Sequence, residues 1–155
     1  MIQLGRPKAK THKAMPMDKL MRLAGDVEDI GEDGFVSAEA IDDLSADQGV
    51  PREKLYAGLG MSGSTQLKIE SKIQVAVCTG GCQEYGALEC VSELLDIRED
   101  LLEEGSEAFD VVPRHCLNRC ESAAVLELRT PDGTAVVAGA TPELVRKTVE
   151  ELVAD

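Results

Sequence analysis

The sequence predicts an α/β fold preceded by a small helical N-terminal segment, and three observations carry that prediction. An alternating apolar run, Ile73, Val75 and Val77, leads into a long helical pattern. Pro131-Asp132-Gly133 supplies turn chemistry between two further apolar runs. Before residue 67, short helical patterns are separated by glycines, with no strand alternation among them.

A chain of 155 residues is long enough for one well-buried core and a smaller appendage. No apolar run approaches the roughly 20 residues that span a bilayer, so direct membrane insertion is not expected. The N-terminus lacks the apolar centre of a signal peptide, which leads to the expectation of a soluble, cytoplasmic protein. Five cysteines without a secretion signal favour metal or redox chemistry over a disulfide framework. The net charge of −13 argues against nucleic-acid binding by the body of the protein and suits docking to a basic partner surface. The charge is uneven: residues 1–22 hold Arg6, Lys8, Lys10, Lys13, Lys19 and Arg22 against Asp18 alone.

Residues 1–15 mix charge, Gly, Pro and Thr without periodicity and read as a flexible basic tail. Residues 16–66 read as a helical segment and linker. Leu20, Leu23, Ala24 and Val27 have helical spacing, and Ser37 is placed to cap a second helix that ends near Gly49. Pro51 fits the first turn of a third helix through Tyr56, with Gly58, Gly60 and Gly63 expected to stop it. Helices this short bury little alone, so the segment is expected to pack on the second domain or on another subunit, and to be the more mobile part.

The second domain, 67–155, begins with a strand ending at Cys78. A helix from Ala87 to Leu102 carries an apolar stripe of Leu88, Val91, Leu94, Leu95, Ile97, Leu101 and Leu102. Phe109, Val111 and Val112 give a second strand closed by Pro113. Val125, Leu126 and Leu128 give a third, and 134–138 a fourth, joined to the third as a hairpin. Thr141 caps a last helix that opens with Pro142 and buries Val145, Thr148, Val149 and Leu152. The order β-α-β-β-β-α corresponds to a thioredoxin-like α/β layout.

Four of the five cysteines form two C-x3-C pairs, Cys78 with Cys82 and Cys116 with Cys120, each on a loop of this domain. Four thiolates suit a [2Fe–2S] cluster, and Gly80 and Gly81 allow backbone N–H groups to approach its sulfides closely. Such donors, with Arg114 and Arg119 nearby, favour the reduced state and raise the potential, while burial opposes them. Tetrathiolate zinc is the rival chemistry, although zinc sites commonly use C-x2-C knuckles about 15–20 residues apart. Here 33 residues (83–115), a whole helix among them, separate the pairs. A thioredoxin-type dithiol would want C-x2-C at a helix start and leaves the second pair unexplained. Cys90 shares a helix side with Leu94, Ile97 and Leu101 and reads as a core residue. His115 reads as a polar neighbour of Cys116.

On these residues the chain resembles the thioredoxin-like [2Fe–2S] ferredoxins, including the small iron–sulfur subunit of NADH:quinone oxidoreductase (complex I). Related subunits occur in NAD-linked hydrogenases and formate dehydrogenases. The resemblance covers about residues 17–153. It is most specific at Val77-Cys78 with Cys82, at Cys116 with Cys120, and from Asp132-Gly133 through Thr141-Pro142-Glu143. It implies Cys78, Cys82, Cys116 and Cys120 as cluster ligands. The family's first pair usually has one more intervening residue, so Thr79-Gly80-Gly81 is a shortened loop. Gly34-Phe35-Val36-Ser37, Gly49-Val50-Pro51 and Leu55-Tyr56 are similar to the family's N-terminal helical preface. The family continues with an aromatic-rich G-V-A-T-F-Y segment, where this chain has Tyr56-Ala57-Gly58-Leu59-Gly60-Met61. The implied function is one-electron transfer, with a flavin-containing NAD(P)H-oxidising subunit or another redox protein as partner. Two alternatives remain: a free-standing ferredoxin and a zinc-stabilised interaction module.

Overall fold

The computed structural model describes residues 10, 12–117 and 123–154. Helix α1 (Met17–Ile30) buries Leu20, Leu23, Ala24 and Val27, the four residues whose spacing predicts it. Ser37 caps α2 (Ala38–Gln48) by accepting the Ala40 N–H at 3.1 Å, and Gly49 ends that helix in the left-handed region at φ 66°.

Helix α3 (Arg52–Met61) departs from the expectation, because it runs straight through Gly58 and Gly60. Both glycines are sites of close approach. A Cβ at Gly58 would lie 2.8 Å from the backbone of Leu23 on α1, and one at Gly60 would lie 2.6 Å from Thr79 Oγ1. The helix-propensity cost of glycine, about 1 kcal/mol each, is offset by contacts that no larger residue permits. Pro51 sits just before the helix and not inside its first turn. Arg52 holds α3 in place by pairing with Asp42 of α2 and with Asp96 and Glu99, at 3.6, 3.1 and 3.2 Å.

Two short strands that the sequence pattern does not predict, β1 (Phe35–Val36) and β2 (Gln66–Leu67), pair in parallel across α2 and α3. The main sheet follows, with β3 (Gln74–Cys78), β4 (Asp110–Arg114), β5 (Leu126–Thr130) and β6 (Gly133–Val137) in the spatial order β4-β3-β5-β6. β4 runs parallel to β3, whereas β5 is antiparallel to both β3 and β6. The strand expected to close at Pro113 continues through it to Arg114. β4 lies at the sheet edge, where a missing N–H costs little.

Between β3 and β4, a 3₁₀ turn (Gly81–Tyr85) leads into α4 (Ala87–Glu103). α4 buries Cys90, Val91, Leu94, Leu95 and Ile97. Leu102, assigned to that stripe from its spacing, is 51% exposed, one residue before the helix ends at Glu103. Helix α5 (Pro142–Ala154) starts at the Thr141 cap, whose Oγ1 accepts the Leu144 N–H at 3.2 Å. Val145 and Val149 are its most buried residues.

Leu23, Val27, Leu55 and Tyr56 share one hydrophobic cluster with Val75, Val77, Val91 and Val111. The N-terminal helices therefore complete the core of the sheet, chiefly through α3 against β4 and α4. No helix among the described residues is long and apolar enough to cross a membrane.

Candidate metal centre

The parallel pair β3 and β4 delivers two cysteine loops to the same end of the sheet. Cys78 is the last residue of β3, paired in register with Arg114, the last residue of β4. From this point the chain turns into Thr79-Gly80 and the 3₁₀ segment with Cys82 on one side, and into His115-Cys116-Leu117 on the other. Parallel pairing thus brings together cysteines far apart in sequence.

The loops are joined by backbone contacts. The Thr79 N–H donates to the Arg114 carbonyl at 2.7 Å, and the Thr79 hydroxyl donates to the same oxygen at 3.2 Å. The Cys78 thiol faces the His115 carbonyl at 3.6 Å. Gly80 lies against His115 so closely that a Cβ there would be 2.9 Å from the imidazole ring and nearer still to the carbonyl oxygen. Here glycine is required by space.

Cys78 and Cys82 are buried, and Cys116 is exposed. The Cys78 thiol is lowered to about 5, first by a hydrogen bond from Cys82; burial opposes this, and the Gly80, Cys82 and Leu117 N–H groups add to it. A sulfur so surrounded is held as thiolate, the form that ligates metal. Cys90 is the opposite case. Fully buried in α4, it is pushed up to about 12 by burial, then by Glu89, Glu143 and Glu93. Its assignment to the core agrees with this position.

Of the four cysteines expected at the site, Cys78 and Cys82 occur on one loop and Cys116 on the loop that contacts it. Cys120 lies outside the described residues, as does Arg119. Among the described residues no group of three or more His, Cys, Asp or Glu is assembled to hold a metal ion. His115 contributes its backbone carbonyl to Cys78, and Arg114 its carbonyl to Thr79.

Three participants escaped sequence reasoning. Thr79 is fully buried and ties the loops together; Leu117 supplies an N–H to Cys78; Gln83 is 4% exposed with both ends of its amide engaged. No local pattern marks them, because each acts through a partner distant in sequence or through its backbone.

A cleft of about 730 Å³ lies elsewhere, beside β1 and β2, lined by Ile30, Phe35, Leu67 and Ile69 with Glu32 and Lys68; no cysteine lines it. The cysteine loops are a candidate centre at a sheet end and not the floor of that cleft.

The fold is thus a mixed α/β sheet with paired thiol loops at one end. No protein-family model matches the chain, and no curated protein matches it. Among solved structures, the thioredoxin-like [2Fe-2S] ferredoxin from Aquifex aeolicus is similar at a TM-score of 0.46 and 23% identity, over 55% of this chain and 88% of that one.

Proposed function

We propose that the chain carries single electrons through a [2Fe–2S] cluster held by Cys78, Cys82, Cys116 and Cys120, as the small iron–sulfur subunit of an NAD(P)H-linked oxidoreductase. One observation carries the ligand assignment: two cysteine loops meet at one sheet end, and three backbone N–H groups face the Cys78 sulfur. A donor set of that kind fits a thiolate-bound centre, because it stabilises negative charge on sulfur. The cluster, when bound, supplies one-electron redox chemistry. The protein's part is to hold the thiolates, direct N–H groups at them and keep Cys78 and Cys82 out of water. Those donors favour the more negative reduced state and raise the potential; burial lowers it. The exposed position of Cys116 suits transfer to a docked partner.

The proposed partner is a flavin-containing NAD(P)H-oxidising subunit, which would perform the chemistry on substrate. A free-standing ferredoxin is the nearest variant. Purification under argon tests the cluster. The expected protein is red-brown, bleaches with dithionite and gives an S = 1/2 EPR signal when reduced. A colourless protein with one zinc per chain and no iron would overturn the reading in favour of a zinc-stabilised interaction module. Affinity isolation from native cells tests the subunit role: recovery of a flavoprotein supports it, and repeated recovery of the cluster-bound chain alone favours the free ferredoxin.

A further inference from the structure

Gln83 follows Cys82 in the 3₁₀ turn, is 4% exposed, and uses both ends of its amide. Its Nε2 donates to the Thr79 carbonyl at 2.7 Å, while its Oε1 accepts the Met15 N–H at 2.9 Å. Met15 belongs to the stretch before α1 that lies along the same turn. There the His12 N–H donates to the Glu84 carbonyl at 3.1 Å, and Lys10 and His12 face Glu84 and Glu89 at 3.4 and 3.2 Å. Both of these side-chain contacts are exposed and contribute little. The Met15–Gln83 bond is the contact that reaches the interior.

The carbonyl that Gln83 holds matters because of the peptide plane it belongs to. Thr79 C=O and Gly80 N–H are one planar group and point in opposite directions. The Gly80 N–H is one of the donors to the Cys78 sulfur. Fixing the oxygen on one side therefore fixes the N–H on the other. The Thr79 N–H, bonded to Arg114, anchors the preceding peptide but leaves this one free to rotate. Glycine at position 80 places no Cβ restriction on its own backbone angles, so the Gln83 bond is what holds this peptide's orientation.

We infer that Gln83 is a positioning residue, latched by the Met15 N–H, which fixes the Thr79–Gly80 peptide so that its N–H faces the Cys78 sulfur. Residues 12–15 thereby belong to the outer support of the cysteine loop. The inference deepens the electron-transfer reading, but its first test stands without a cluster.

That test is hydrogen exchange of the Gly80 amide, resolved by NMR in the zinc-loaded or metal-free full-length chain. Gln83→Met keeps the volume and neutrality and removes both bonds. Met15→Pro removes the latching N–H alone, beside a residue that is already proline, and Met15→Ala retains it. Protection at Gly80 should fall by about tenfold or more in Gln83→Met and less in Met15→Pro, while Met15→Ala stays near wild type. Unchanged protection in a folded Gln83→Met overturns the inference. If that variant does not fold, Met15→Pro decides the matter, and wild-type protection in it overturns the inference equally. Where the cluster is present, losing an N–H to sulfur should make reduction about tenfold less favourable, a fall of about 59 mV for one electron. A wild-type protein without iron would sink the electron-transfer proposal and leave the exchange result standing.

Discussion

The end of β3 and the first turn of α4 each hold a buried cysteine in the same hydrophobic cluster, yet the two thiols are driven apart. Cys78 is lowered to about 5 and Cys90 is raised to about 12. Burial opposes ionisation in both. At Cys78 it is outweighed by the Cys82 thiol and by the Gly80, Cys82 and Leu117 N–H groups. At Cys90 no such donor among the described residues offsets burial: its own N–H is taken by the Gly86 carbonyl at 3.3 Å, and the charges acting on it are the carboxylates of Glu89, Glu143 and Glu93. A neighbouring thiol first, and backbone N–H donors after it, separate Cys78 from Cys90 more than depth does.

The largest expected effect is on cluster assembly. Cys78→Ser should abolish iron and acid-labile sulfide in the purified protein, and Cys116→Ser should lose or strongly perturb the cluster. Cys90→Ala should retain wild-type amounts of both. Loss of the cluster in Cys90→Ala would erase the contrast and move that residue into the site.

Stability against pH comes next, measured by urea denaturation of the metal-free protein. Between about pH 5 and pH 9 the unfolded chain keeps a proton on Cys78 that the native state has released, so stability should rise with pH across that window. Below about 5 the contribution is lost. Cys90 acts with the other sign: above pH 9 the unfolded thiol ionises while the native one stays protonated up to about 12, so stability should fall with rising pH. Cys78→Ala should flatten the first limb and Cys90→Ala the second. A curve unaltered by either change would contradict the opposed thiols.

Gly80→Ala sharpens the comparison from the backbone side. Its Cβ would press on the His115 carbonyl and ring, so the loops must separate, at a cost of about 1–3 kcal/mol. Cluster retention should suffer more than the melting temperature. The smallest effect belongs to Cys90→Ala, where losing one sulfur from a packed helix face should cost about 1 kcal/mol in denaturant titration.

Much of this molecule could be read in sequence because the signals are local. Ser37 and Thr141 announce helix starts with their own hydroxyls, and 131–133 carries the turn chemistry of its hairpin. Leu94 in α4 and Val145 and Val149 in α5 are buried at helical spacing, whereas β3 and β4 bury consecutive residues. Cysteine spacing by itself nominated the candidate centre. Other features depend on what lies across the fold. Gly58 and Gly60 look like helix breakers until Leu23 and Thr79 are seen against them, where only hydrogen fits. Leu102 fits the α4 stripe, but at the last turn of the helix it is left exposed. Gln83 is an ordinary polar residue until Met15 and Thr79 take the two ends of its amide. Periodicity, capping and turn chemistry act within a few residues of chain, so the sequence alone determined the longer helices, the main strands and the candidate ligands, but not β1, β2 or the end of α3. Parallel pairing of β3 with β4 closes a long loop, and only that closure decided which backbone groups surround Cys78 and which glycines had to stay small.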